Sequence, residues 1–105
     1  MKIILIIDTT SNEVIKVGVN IDGESHFVEQ KLDKQKAQVV LPLIDKILKE
    51  KNIKLKDISE IQINPGPGSF TGIRVGLAVA NTLAFLLKIP INGKPIGIQA
   101  EPKYT

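Results

Sequence analysis

Residues 3–7 form an unbroken apolar run, mostly isoleucine, that Asp8 ends. A continuous run of that length suits a central strand covered on both faces of a sheet. From Val14 to Ile21 the pattern turns to alternation, with Ile15, Val17, Val19 and Ile21 in step on one face. Asp22-Gly23 follows, and it fits a type I′ hairpin turn, which needs positive φ at both central positions. Residues 24–32 then read as a third strand antiparallel to the second, with His26 an ordinary strand residue on it.

The period becomes helical over residues 34–51. Val40, Leu43, Ile44, Ile47 and Leu48 share one stripe there, and Asp33 is placed to cap the start. Pro42 falls inside this stripe. It either bends the helix or marks its true beginning, because proline lacks an amide donor and crowds the preceding turn; helix on both sides with a bend is the expectation. Residues 52–60 read as a polar connector anchored by Leu55 and Ile58. Ile61-Gln62-Ile63-Asn64 is a short strand, and a second helix runs from near Phe70 to about Leu87. The tail, residues 89–99, has room for another strand or two around Asn92-Gly93. The order β-β-β-α-β-α-β predicts one α/β domain over residues 1–105. Its sheet is mixed, parallel in its second half, with helices packed on it.

The second helix is apolar around most of its circumference, which requires burial around most of it. Gly72, Gly76, Ala80 and Ala84 recur every four residues and make one small-residue stripe. The sheet covers one face. The first helix and a second chain are the two sources of cover for the rest, and the small stripe would let another helix approach closely. On this reading a bulky charge at Ala80 abolishes pairing and spares the fold.

Before that helix lies Pro65-Gly66-Pro67-Gly68-Ser69-Phe70-Thr71-Gly72, a strand-to-helix loop of the kind where α/β sheets hold ligands and helix starts favour anions. Ser69 and Thr71 each offer a hydroxyl. The specific phosphate motifs nevertheless fail. A Walker loop needs Lys after its last glycine, and Ile73 stands there. A dinucleotide fingerprint needs a glycine where Thr71 stands, and no Gly-x-Ser-x-Gly elbow occurs.

Composition narrows the chemistry. The chain has no cysteine, which excludes disulfides and thiolate metal sites, and its single histidine excludes any scheme needing two imidazoles. Hydrophobic residues at 43% against 24% charged place it with globular proteins rather than disordered ones. The net charge of +3 comes mainly from lysines between Lys31 and Lys56. They read as a solvated face, or as a weak attraction for nucleic acid with few aromatics to stack bases. The opening apolar run is too short for a signal core or a membrane span, so no membrane and a cytoplasmic location are expected.

The run Gly66-Pro67-Gly68-Ser69-Phe70-Thr71-Gly72-Ile73-Arg74-Val75-Gly76 resembles the signature of the TsaB (YeaZ) family, the dimerisation subunit of the bacterial tRNA threonylcarbamoyladenosine machinery. Residues 4–10, with Asp8-Thr9-Thr10, are similar to its opening strand and turn. Val40-Leu41-Pro42-Leu43-Ile44-Asp45 is similar to its first helix, proline included. The likeness extends to about Ile91. It implies an RNase H-like fold of the actin/Hsp70 (ASKHA) type, present here as one lobe equivalent to the N-terminal lobe of TsaB.

The resemblance further implies a non-catalytic chain with no metal and no catalytic residue of its own. Such a chain pairs with a TsaD-like paralogue and works alongside a TsaE-like ATPase in tRNA N6-threonylcarbamoyladenosine modification. It forms a homodimer when the partner is absent, and its contact with tRNA is indirect or weak. The implied interface lies on the two helices, at Leu41, Ile44, Leu48, Gly72, Val75, Gly76, Val79, Ala80 and Leu83. Asp8, Thr9 and Thr10 occupy the position where catalytic relatives bind metal or phosphate. The usual glycine is missing from that turn, and any nucleotide would sit at a composite site with the partner. The alternative is a small nucleotide-binding or phosphotransfer protein using Asp8 and the loop from Gly66 to Gly72. Family members are about twice as long, a histidine common near the first helix is replaced around Lys36, and Pro102-Lys103-Tyr104 reads as an ending.

Overall fold

The computed structural model describes residues 1–31 and 37–104. Three antiparallel strands come first, β1 (Ile3–Asp8), β2 (Val14–Ile21) and β3 (Glu24–Lys31). Then follow α1 (Ala37–Glu50), a 3-10 turn (Leu55–Asp57), β4 (Glu60–Ile63) and α2 (Phe70–Leu87). The sheet order is β3-β2-β1-β4, with β1 antiparallel to β2 and parallel to β4. The predicted cap of α1, Asp33, and the residues from there to Lys36 lie outside the described residues.

Register builds the core. Leu5 stands beside Val19 and Ile61, and Ile7 beside Val17 and Ile63, so the apolar positions of three strands fall on one face. Both helices lie on that face, α1 over β2 and β3, and α2 over β4 and β1. Val40, Leu43, Ile44, Ile47 and Leu48 of α1 are all buried there, and the helix runs on through Pro42. Asn52, at φ 55°, ends α1 in the left-handed conformation, and the Ile53 amide returns to the Leu48 carbonyl at 2.8 Å. Ile53 and Ile58 anchor the connector. Leu55, expected as an anchor, is exposed on the 3-10 turn.

The hairpin forms as predicted, with Asp22 at φ 49° and Gly23 at φ 97°. Asp22 also accepts the Lys2 amide at 2.8 Å, which ties the turn to the start of β1.

The expectation that β1 is covered on both faces is corrected. Ile3, Leu5 and Ile7 are buried, whereas Ile4 and Ile6 on the opposite face are half-buried. Both helices are on the other side, and no described element lies over them. Phe27 partly shields this face by lying on Gly18, where a side chain would collide with its ring, and Lys16 holds its ammonium 4.5 Å from the ring centre.

The final strand shrinks to a single parallel bridge, Ile61 with Ile91. Pro90 has no amide to donate, and Asn92 (φ 51°) and Gly93 (φ 73°) turn the chain away. The Asn92 side chain completes the pairing in place of backbone. Its Oδ1 accepts the Ile63 amide at 2.8 Å and its Nδ2 donates to the Ile63 carbonyl at 2.9 Å. Asn92→Ala strips both partners from Ile63 and puts alanine at positive φ, so stability falls by about 2 kcal/mol. Urea unfolding shows this as a lower midpoint at unchanged slope.

Candidate docking site and signature loop

The parallel strands β1 and β4 end side by side, and the two segments leaving them interlock. Thr9 is fully buried, and its hydroxyl donates to the Gly72 carbonyl at 2.6 Å, in the first turn of α2. Gly76, one turn later, passes so close that a Cβ would collide with Thr9 Oγ1 and come within 3.0 Å of Ile63 Cδ1. Gly68 lies against Thr10, where a Cβ would stand 2.6 Å from the carbonyl oxygen. The Ser69 amide donates to that same Thr10 carbonyl at 2.7 Å. Ser69 Oγ accepts the Gly72 amide at 3.2 Å, which makes Ser69 the N-cap of α2.

Asp8 organises the turn before these contacts. Its Oδ1 accepts the Thr10 amide at 2.9 Å and the Thr10 hydroxyl at 2.7 Å, and its Oδ2 accepts the Asn64 side chain at 3.1 Å. Burial pushes its pKa up. The Thr10 amide and hydroxyl, the Asn64 amide and the charge of Lys16 outweigh that, and hold the carboxyl below its ordinary value of 3.8. Asp8, Asn64 and Pro65 border an open groove of about 540 Å³ with Ile6, Gln62 and Asn92. The three candidate nucleotide residues therefore do come together at the carboxyl ends of the parallel strands. Thr9 donates to Gly72, and Thr10 donates through both amide and hydroxyl to Asp8, so these groups bond within the protein.

On α2 the small-residue stripe faces inward. Gly72, Gly76, Ala80 and Ala84 are buried with Ile73 and Leu77 against the sheet. Of the predicted interface, Gly72, Gly76, Ala80, Ile44 and Leu48 thus belong to the chain's own core. A charge at Ala80, which is 0% exposed, would unfold the domain and not merely unpair it. Val75, Val79 and Leu83 are half-buried on the flank, and Leu41 is exposed on α1. The exposed residues of α2 are a different set: Phe70, Thr71, Arg74, Ala78, Thr82, Phe85 and Leu86. By length and composition α2 would also suffice to cross a membrane, but its buried stripe forms part of the core.

At the loop, the Gly66–Pro67 peptide is cis, and Gly66 adopts φ 113° with no room for a side chain between Ile73 and the Lys103 carbonyl. Pro67 and Gly68 are exposed. Phe70 is exposed and stacks on Tyr104, ring centres 4.8 Å apart, while the Arg74 guanidinium lies 5.4 Å from its ring centre. Asn64, Asn81 and Asn92 escaped sequence reasoning. Each acts across the fold, and only the position of Asn64 and Asn92 beside turn-forming residues hints at a role.

A mixed sheet with both helices on one face, and a glycine-proline loop feeding a close-packed helix, define a lobe of the RNase H-like, actin/Hsp70 class. Residues 26–93, more than half of the chain, match the sequence profile of the family described as "TsaD: tRNA N6-adenosine threonylcarbamoyltransferase". The tRNA threonylcarbamoyladenosine biosynthesis protein TsaB of Buchnera aphidicola (subsp. Schizaphis graminum) is 37% identical over 91 residues, covering 87% of this chain and 43% of that protein. The Escherichia coli TsaB is 34% identical over 90 residues, covering 86% and 38%. The tRNA N6-adenosine threonylcarbamoyltransferase of Persephonella marina is 33% identical over 52 residues, covering 50% and 15%. The solved structure of YeaZ from Pseudomonas aeruginosa superposes with a TM-score of 0.82 at 29% identity, covering 90% of this chain and 44% of that one. The chain belongs to the TsaB (YeaZ) family. It spans about two fifths of the length of the curated TsaB relatives named here.

Two outcomes follow from the junction. Because the folded pKa of Asp8 is depressed, its contribution to stability is full above the unfolded value and is lost as pH falls through the folded one. The stability gap between wild type and Asp8→Asn therefore closes as pH falls below the ordinary carboxyl value of 3.8, as urea titrations at stepped pH will show. Gly76→Val drives a side chain into Thr9 and Ile63, and lowers stability by about 2 kcal/mol or more by the same measurement.

Proposed function

We propose that this chain is a non-catalytic assembly subunit that pairs with a TsaD-like protein in tRNA N6-threonylcarbamoyladenosine biosynthesis. The observation that carries the reading is the outward face of α2. Exposed Thr71, Ala78, Thr82 and Leu86, with half-buried Val75 at the flank between the first two, succeed one another at helical spacings, and none is charged. Such a seam of mostly small side chains allows a second helix to pack closely along its length. Leu41 of α1 adds an exposed apolar side chain.

Family membership supports the pathway, and the likeness to both TsaB and a threonylcarbamoyltransferase supports pairing between related lobes through matching surfaces. The internal hydrogen bonds of Thr10 to Asp8 and of Thr9 to Gly72 weigh against an autonomous nucleotide or phosphotransfer site. A nucleotide would instead sit at a composite site formed with the partner, and a TsaE-like ATPase and tRNA would engage the assembled complex.

Titration of the purified chain against its cognate TsaD-like protein tests this. Binding is expected in the micromolar range or tighter, and Ala78→Glu or Thr82→Glu should weaken it by about a hundredfold, since a buried unpaired charge at a packed interface is costly. Circular dichroism of both variants should match wild type. Absence of wild-type binding, or full binding by both variants, would sink the proposal.

A further inference from the structure

Segment 100–104 runs back along α2, from its middle to its loop end. The Asn81 side chain grips Ala100 at two points, accepting its amide at 2.8 Å and donating to its carbonyl at 3.1 Å. The Lys103 amide donates to the Pro65 carbonyl at 2.7 Å, and the Lys103 carbonyl packs against Gly66. Tyr104 then lays its ring on Phe70. Ala100 is buried, whereas Glu101, Pro102, Lys103 and Tyr104 are exposed. These five residues make no strand pairing, and apart from Ala100 none of them belongs to the core cluster. The segment is thus attached through Ala100, Lys103 and Tyr104, and lies outside the strand pairing that holds the sheet. Its tip occupies the loop end of α2, on Phe70, next to Thr71 where the outward seam begins.

We propose that segment 100–104 is a latch that competes with the partner for the loop end of α2. Closed, it holds Tyr104 over Phe70 and Lys103 over Gly66; docking of the partner's helix releases it. This inference rests on the pairing reading above. It requires that part of the free chain be closed, and that the closed fraction lower the apparent affinity.

Tyr104 is the single tyrosine and there is no tryptophan, so tyrosine fluorescence of the free chain reports on the latch alone. Acrylamide should quench Tyr104 less in wild type than in Asn81→Ala, at unchanged circular dichroism. Equal quenching would show that the latch is not closed in solution and would overturn the proposal. In calorimetric titrations with the TsaD-like partner, Tyr104→Ala should bind roughly three- to tenfold tighter than wild type. Equal affinity would mean that the latch does not compete, and weaker affinity would place Tyr104 inside the interface; either overturns it. Failure of both proteins to bind would overturn the pairing reading, and competition with it. The quenching comparison would still report whether the segment docks, so the two failures remain distinguishable.

Discussion

The structure depends on how close α2 comes to the sheet. Gly76 rests on Thr9 and Ile63 with no space for a Cβ, and one turn earlier the Thr9 hydroxyl donates to the Gly72 carbonyl. A helix seated this deep brings Ile73, Leu77, Ala80 and Ala84 into the core by small shape complementarity, without large side chains bridging a gap. It also fixes the rotation of the helix, and thereby which residues look outward. The seam proposed for docking is the complement of that choice.

The eleven-residue signature gains a physical meaning from the same geometry. Gly66, Gly68 and Gly76 are each glycine because something different fills the place of the side chain: the Lys103 carbonyl, the backbone of Thr10 and the Thr9 hydroxyl. Ser69 caps the helix they lead into. A glycine-rich loop at the carboxyl ends of parallel strands usually raises the expectation of phosphate. Here the short approach distances are between parts of the protein itself.

Local features were legible in the sequence. The Asp22-Gly23 hairpin, the alternation of β2 and the extent of α2 follow from contacts within a few residues, and the structure reproduces them. Spacing of four along α2 showed that Gly72, Gly76, Ala80 and Ala84 share a face, but periodicity carries no information about what lies opposite, and the stripe turned out to serve the sheet. The unbroken run in β1 likewise could not reveal that both helices settle on one side. Asn81 with Ala100, and Asn92 with Ile63, are side-chain pairings between distant segments for which polar residue type alone gives no partner.

Asn92 has a consequence for how the protein behaves in a crowded solution. By answering both backbone groups of Ile63, it leaves the outer rim of β4 with little to offer an extended segment of another molecule. The opposite rim, β3, carries Glu24, Glu29 and Lys31, whose charges discourage recruitment of a further strand. The sheet is thus terminated by an amide on one side and by charge on the other, and growth by strand addition is opposed at both.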